Sequence, residues 1–393
     1  MVINFWEFLD NKTDIQKILT LALSADKSDE KIDLFKSLLL DVDLNKLYEE
    51  ARVDEVDSHV AEMMMYSGIK LERMWQKSYN SVNTKITNLM NELDRIASEL
   101  SKNKIKIVAL KNAGIARGIY TNYASSPMGD IDLLISKKDF HSAHELILEK
   151  LGYTFKFRSE YEVEDLDDAF KSGGTEYYKI IDGHKVWLEL QWRPIAGRWI
   201  QPHNEPNGNK LIHNSISIKN SSVKILSPED NLLQVALHTA KHSYVRAPGF
   251  RLHSDVDRVI RFQQIDWSHF ENIVLKLKIK TAVYFSLFFA KNLLGTPIPK
   301  EILKKLRPTW YRELTIRHYI KKAGIFNQKN KKFTKFGYII FNLALYDNFT
   351  ENLKAIFPPF DSLKIKYPIT KKSQLPYFYI LRLKDLLLKR AKL

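Results

Sequence analysis

Asp130 and Asp132 stand two residues apart in Met128-Gly129-Asp130-Ile131-Asp132-Leu133-Leu134-Ile135, a short aliphatic stretch. Side chains alternate across a strand, so the two carboxylates share one face while Ile131, Leu133 and Ile135 point to the other. Like charges side by side on a strand repel, and burying them without a partner costs several kcal/mol. A hard divalent cation removes that conflict, because Mg²⁺ takes one or two carboxylates and leaves room for substrate phosphates. Taken alone, Asp-x-Asp more simply describes an exposed edge strand with two solvated acids. Two other features shift the balance. Glu189 interrupts the apolar run Lys185-Val186-Trp187-Leu188-Glu189-Leu190-Gln191-Trp192 and shares a face with Trp187 and Gln191. Three carboxylates on neighbouring strands can hold two metal ions about 3.5–4 Å apart for in-line displacement at phosphorus. The other feature is the stretch Ile107 to Gly114, a strand entering a small-residue turn and then a helix. Backbone N–H groups and the helix dipole at such a turn suit a phosphate, and Lys111 adds a point charge.

Several elements must position these groups. Ile105–Leu110 and Ile131–Ile135 read as short strands, Asn112–Tyr123 and Lys137–Leu151 as helices. Glu176–Ile181 and His184–Trp192 flank Asp182-Gly183, the strongest short-range hairpin signal. Glu160–Asp168 reads as an acidic loop, with Gly173-Gly174 as a second break. Ahead of this α/β segment the chain reads helical at Asp14–Leu23, Lys31–Leu40, Leu44–Ala51 and in one long run from about Val60 to Leu100. Met63, Met64 and Met65 in that run read as core filler. After it the helical period returns at Pro228–Tyr244, Asp255–Phe262, Ile273–Leu294, Trp310–Ala323 and Tyr377–Lys392. The order predicts an α+β fold, a small mixed sheet flanked by helical regions at both ends.

Composition bounds the remaining possibilities. The 393 residues contain no cysteine, which excludes disulfide scaffolds, zinc–thiolate sites, iron–sulfur clusters and cysteine nucleophiles together. Any metal must sit on oxygen or imidazole. The opening Met1–Lys12 shows no signal-peptide pattern, and the apolar stretches at Tyr284–Ala290 and Tyr338–Tyr346 are too short to span a bilayer. A cytoplasmic protein is expected. Residues 301–393 hold 21 Lys and Arg against 6 Asp and Glu, whereas residues 1–300 hold 40 of each. The whole net charge of +15 therefore lies in the last quarter. That asymmetry suggests RNA or another anionic partner there, or equally a helical tail kept apart by its own charge. In the last helix, Tyr377 to Lys384, aromatic and basic residues alternate. Docking of its apolar face on the body is the simpler reading, beside a membrane surface or RNA. His238 and His242 share a helix face at a spacing zinc sites use; without a third ligand, a structural place or the lining of a cleft fits better. Arg251 and Asp255, also four apart, read as an ion pair or as contacts across that cleft.

The combination of Leu110-Lys111-Asn112-Ala113, then Gly129-Asp130-Ile131-Asp132-Leu133-Leu134, then Leu188-Glu189-Leu190-Gln191-Trp192 resembles the DNA polymerase β-like nucleotidyltransferase superfamily. More narrowly it resembles the mostly uncharacterised bacterial family called NTP-transferase type 5. Leu226-Ser227-Pro228-Glu229-Asp230-Asn231-Leu232-Leu233 with His238, His242, Arg251 and Asp255 resembles that family's helical lobe, and Phe357-Pro358 with Leu375-Pro376-Tyr377 its tail. The resemblance implies a cap at 1–100, the nucleotidyltransferase core at 101–200, a lobe at 225–300 and a basic, mostly helical region at 301–393. It implies transfer of a nucleoside monophosphate from a triphosphate, with ATP expected, to an acceptor hydroxyl of RNA, protein or a small molecule, pyrophosphate leaving. Asp130, Asp132 and Glu189 would be the catalytic acids and the ligands of Mg²⁺ or Mn²⁺. Lys111, Asn112, Ala113, Gly114 and Gly129 would hold the nucleotide, and His238, His242, Arg251 and Asp255 would line an acceptor cleft. The alternative on the same fold is a catalytically silent nucleotide- or RNA-binding module. Three positions depart from the family's usual residues: Asn112 follows the lysine where glycine is common, Ser125-Ser126-Pro127 stands where an arginine often precedes the acids, and Gln191 replaces a common histidine.

Overall fold

The computed structural model describes residues 12–158, 164–195, 199–200, 204–244, 249–326, 333–364 and 367–388. Its architecture is α+β, a mixed seven-stranded sheet embedded among helices. The described residues begin with α1 (Asp14–Leu23), α2 (Asp29–Leu39), α3 (Leu44–Val53) and α4 (Asp57–Tyr66), followed by the 30-residue α5 (Arg73–Lys102). Thr13 and Gln16 close a capping box on α1, which satisfies two donors that a helix start leaves bare. The expected single run over 60–100 is thus two helices. Gly68 breaks it with φ +72°, a backbone state open to glycine without steric cost.

The α/β segment follows: β1 (Val108–Ala109), α6 (Lys111–Gly118), β2 (Asp130–Leu134), α7 (Phe140–Glu149), β3 (Thr154–Phe155), α8 (Leu166–Ser172), β4 (Gly174–Ile181) and β5 (His184–Gln191). The strand expected over Ile105–Leu110 is confined to two residues. Part of the expected acidic loop is α8, capped by Asp165, whose side chain accepts from the Asp168 amide; residues 160–163 lie outside the described residues. The Asp182-Gly183 hairpin forms as expected, with both turn residues at positive φ and Ile181 opposite His184. A short helix α9 (Gly208–His213) and strands β6 (Ile216–Ser217) and β7 (Lys224–Ile225) lead to the lobe. The sheet order is β3-β4-β5-β2-β1-β7-β6, with β2 parallel to β5 and antiparallel to β1.

The lobe comprises α10 (Pro228–His242), α11 (His253–Phe262), α12 (Trp267–Leu277) and α13 (Lys280–Leu294). The helix expected over 273–294 is split between the last two, because Lys278 takes a left-handed conformation (φ +57°). Helices α14 (Lys300–Leu306), α15 (Trp310–Ala323), α16 (Lys335–Ala344), α17 (Phe349–Ile356), α18 (Phe360–Lys364) and α19 (Leu375–Leu388) follow among the described residues. The last expected helix is described only to Leu388. Among the described residues no helix is long and apolar enough to cross a membrane.

Among the described residues there are two large hydrophobic cores and a small third one around Leu363, Ile369 and Phe378. One large core lies under the sheet, where Ile86, Leu89, Leu93 and Ile96 of α5 meet Ile131, Leu133 and Ile135. The other large core joins α1, α3 and α4 to the lobe helices and also takes Leu134. Odd-numbered residues of β2 therefore bury against α5, and the even-numbered ones, Asp130 and Asp132 included, face the lobe.

Candidate functional site

β2 occupies the middle of the sheet, so its acids are flanked on both sides. The parallel pairing with β5 sets Asp132 opposite Glu189 and Asp130 opposite Trp187. One oxygen from each of Asp130, Asp132 and Glu189 lies within 4.8 Å of the others. The β4–β5 register adds a residue that the sequence reading missed: Glu176 stands opposite Glu189, giving a rank of three acids, Asp132, Glu189 and Glu176, across three strands. The signal was present, since a two-residue turn with Ile181 opposite His184 places Glu176 there.

Such a concentration of negative charge requires cations. Lys111 Nζ lies 2.6 Å from Asp132 Oδ1 and 3.6 Å from Glu189 Oε2. Burial works against its charge, but Asp132, Glu189 and Asp130 outweigh that effect and raise its pKa. The second cation is Arg158, which local sequence gave no reason to single out. Its Nη1 lies 2.6 Å from Asp130 Oδ2, its Nε 3.2 Å from Glu176 Oε2 and its Nη2 3.7 Å from Glu189 Oε2. Burial pushes the Asp132 carboxyl up to about 7, the charge of Glu189 adding to the effect and Lys111 opposing it. Asp130 is also raised, by burial and then by Asp132, against the pull of Arg158. Asp132 is only 3% exposed, and Gln191 Nε2 donates to its Oδ1 at 3.0 Å. The residue in place of the common histidine thus still holds this acid.

At the turn, Lys111 begins α6 with φ +49°, a left-handed state that costs a residue with a side chain about 1–3 kcal/mol. Its N–H donates to Gln234 Oε1 of α10 at 3.1 Å. The Gly114 N–H donates to the Leu110 carbonyl, which leaves the Asn112 and Ala113 amides ahead of the first intrahelical bond. Gly114 has a packing reason: a Cβ there would stand 2.6 Å from the Ala109 carbonyl oxygen. At Gly129 an added Cβ would meet nothing within 4 Å, so open space lies before the acid strand.

Lys111 and Glu189 line a cleft of roughly 370 Å³ together with Gln234, His238, Lys241 and His242 of α10. The two histidine rings lie 4.9 Å apart. Arg251 and Asp255 are elsewhere. Both are buried, and with its amide turned to suit its neighbours Asn112 donates to the two Asp255 carboxylate oxygens (2.6 and 3.0 Å) and accepts from Arg251 Nη1 (3.2 Å). The structure therefore separates the four residues expected along one cleft, two lining it and two pinning α6 to the lobe. The departure at Ser125-Ser126-Pro127 is also accounted for in space. Arg258 of α11 reaches the Ser125 carbonyl, and its Nη1 lies 3.5 Å from Ser126 Oγ, so an arginine meets the segment before the acids from the lobe side.

Three carboxylates converging with one oxygen each make a hard donor set suited to Mg²⁺ or Mn²⁺. The two side-chain cations now among them show that the cluster demands positive charge. A family model described as an uncharacterised nucleotidyltransferase matches residues 41–295. No curated protein and no solved structure matches the chain.

Proposed function

The chain belongs to this family of uncharacterised nucleotidyltransferases, and on that premise we propose that it transfers a nucleoside monophosphate from a nucleoside triphosphate, ATP the expected one, to an acceptor hydroxyl. The observation that carries the reading is the convergence of Asp130, Asp132 and Glu189 within 4.8 Å beside the opening turn of α6. The acceptor oxygen bonds to the α-phosphorus, the bond from that phosphorus to the oxygen bridging to the β-phosphate breaks, and pyrophosphate leaves. The three acids would hold Mg²⁺ or Mn²⁺, which when bound neutralises phosphate charge and eases deprotonation of the acceptor. Glu189, the one of the three that lines the cleft, is placed to take the acceptor proton. Gln191 keeps the Asp132 carboxylate oriented. The Asn112 and Ala113 amides, with the dipole of α6, offer donors to the triphosphate. The space before Gly129 leaves room for the nucleotide, and His238 and His242 face the same cleft from the lobe.

The direct test incubates the purified protein with Mg²⁺, a cell lysate and each α-labelled nucleoside triphosphate in turn. Label is then followed into RNase-sensitive, protease-sensitive and small-molecule fractions. Label in one fraction, lost in Asp132→Ala with its fold intact by circular dichroism, supports the reading and gives the acceptor class. Equal labelling by wild type and Asp132→Ala would refute the assignment of the acids.

A further inference from the structure

Among the described residues, Arg158 is the one cationic side chain that touches three acids of the site while remaining substantially open to solvent. It contacts Asp130, Glu189 and Glu176, and its backbone N–H donates to Glu176 Oε2 at 2.6 Å, which anchors its main chain beside β4. The guanidinium lies 5.5 Å from the Trp187 ring, and the side chain is 37% exposed. The main chain holds the base of the residue, and its head is held by charged hydrogen bonds to Asp130 and Glu176 and by the face of Trp187. Lys111, at 21% exposure and bonded to Asp132, is the more enclosed of the two cations.

We infer that Arg158 occupies the cation position of the acid cluster in the nucleotide-free protein and moves to the incoming triphosphate when metal and nucleotide bind. The inference rests on the nucleotidyltransferase reading above. Its physical basis is charge exchange. A divalent ion on Asp130 and Glu189 removes the attraction that keeps the guanidinium there and adds repulsion. The same event brings a polyanion beside the same acids, and a planar guanidinium is matched to paired phosphate oxygens. Arg158 is thus both a competitor of the metal and a ligand of the nucleotide, and the two roles predict effects of opposite sign.

The test uses the full-length chain, with free Mn²⁺ read by electron paramagnetic resonance, first alone and then with a non-hydrolysable triphosphate at saturating Mn²⁺. Arg158→Met should bind Mn²⁺ alone roughly fivefold more tightly, since the competing ion pairs are gone. It should bind the triphosphate roughly tenfold more weakly, since a charged hydrogen-bond donor is lost. Arg158→Lys should recover part of both changes. A residue with a merely structural role would weaken both titrations or move neither, and any pattern other than tighter metal with weaker nucleotide overturns the inference. Asp132→Asn separates this failure from that of the underlying reading. If wild type and Asp132→Asn bind Mn²⁺ alike, the metal site itself is wrong. If Asp132→Asn loses Mn²⁺ binding while Arg158→Met behaves as wild type, only the role of Arg158 falls.

Discussion

Asp132 is held by Lys111 and Gln191 on a strand that leaves it almost no contact with water. Each partner does a different job, one supplying charge and the other direction. Removing the directing amide by Gln191→Ala should lower Mn²⁺ affinity or transfer rate by roughly ten- to hundredfold, the usual cost of losing a group that orients a metal ligand. Titration and initial-rate measurements on the same preparation check this. Gly129 poses the opposite case, because an alanine there touches nothing in the protein. Gly129→Ala should leave stability within about 0.5 kcal/mol of wild type and raise KM for the triphosphate. A wild-type KM would show that the space before Asp130 is not used by the nucleotide. Part of this site was legible residue by residue: the alternation around Asp130 and Asp132, and Glu189 in an apolar run. Arg158 was not, since nothing near it in the chain marks it off from any other surface arginine.

Helix α6 is the element on which the site turns. Its first residue reaches the acids, its second is locked to the lobe, and its fourth lies against the β1 backbone. Gly114→Ala forces a Cβ onto a carbonyl oxygen that cannot step aside, so the helix must lift from β1. A loss of about 1–3 kcal/mol is expected from such overpacking, visible as a lower urea midpoint, together with weaker triphosphate binding as the turn shifts. Asn112→Ala leaves the buried Arg251 and Asp255 without the amide that joins them to α6, and a comparable loss of about 1–3 kcal/mol is expected in the same assay. The helix itself was readable from the small-residue turn after β1, although it ends at Gly118 rather than Tyr123. Its ties to Gln234 and Asp255 were not, because they join positions more than a hundred residues apart.

At the scale of the molecule, the N-terminal helices share one apolar core with the lobe, and ionisable groups are enclosed there. His253 has no exposed surface, sits against Tyr244 and Phe289, and is bonded to the Phe250 carbonyl. Burial pushes its pKa down to about 4. Between pH 6.5 and 4 the unfolded chain therefore takes up a proton that the folded chain refuses, so the stability this residue allows above pH 6.5 is lost as pH falls through that window. His253→Gln should flatten the dependence of unfolding free energy on pH there by up to about 1.4 kcal/mol per pH unit. Urea titrations of both proteins from pH 7.5 to 4.5 measure the difference, and parallel curves would exclude a buried neutral imidazole.

Local order alone settled the face of the acid strand, the hairpin turn and the exclusion of sulfur chemistry. Each follows from a short-range rule: period-two alternation, the positive φ that Asp-Gly accepts, and the lack of any cysteine. The boundaries of longer helical runs were less secure, since Gly68 and Lys278 interrupt patterns whose apolar spacing continues past them. Only the folded chain decided which cations answer the carboxylates, how Asn112 joins the lobe, and that Arg258 meets Ser125 and Ser126 where an arginine was expected in the chain itself. The physical reason is common to all three. Charge compensation and buried hydrogen bonding depend on distance in space, and a partner many residues away satisfies them as well as a neighbour.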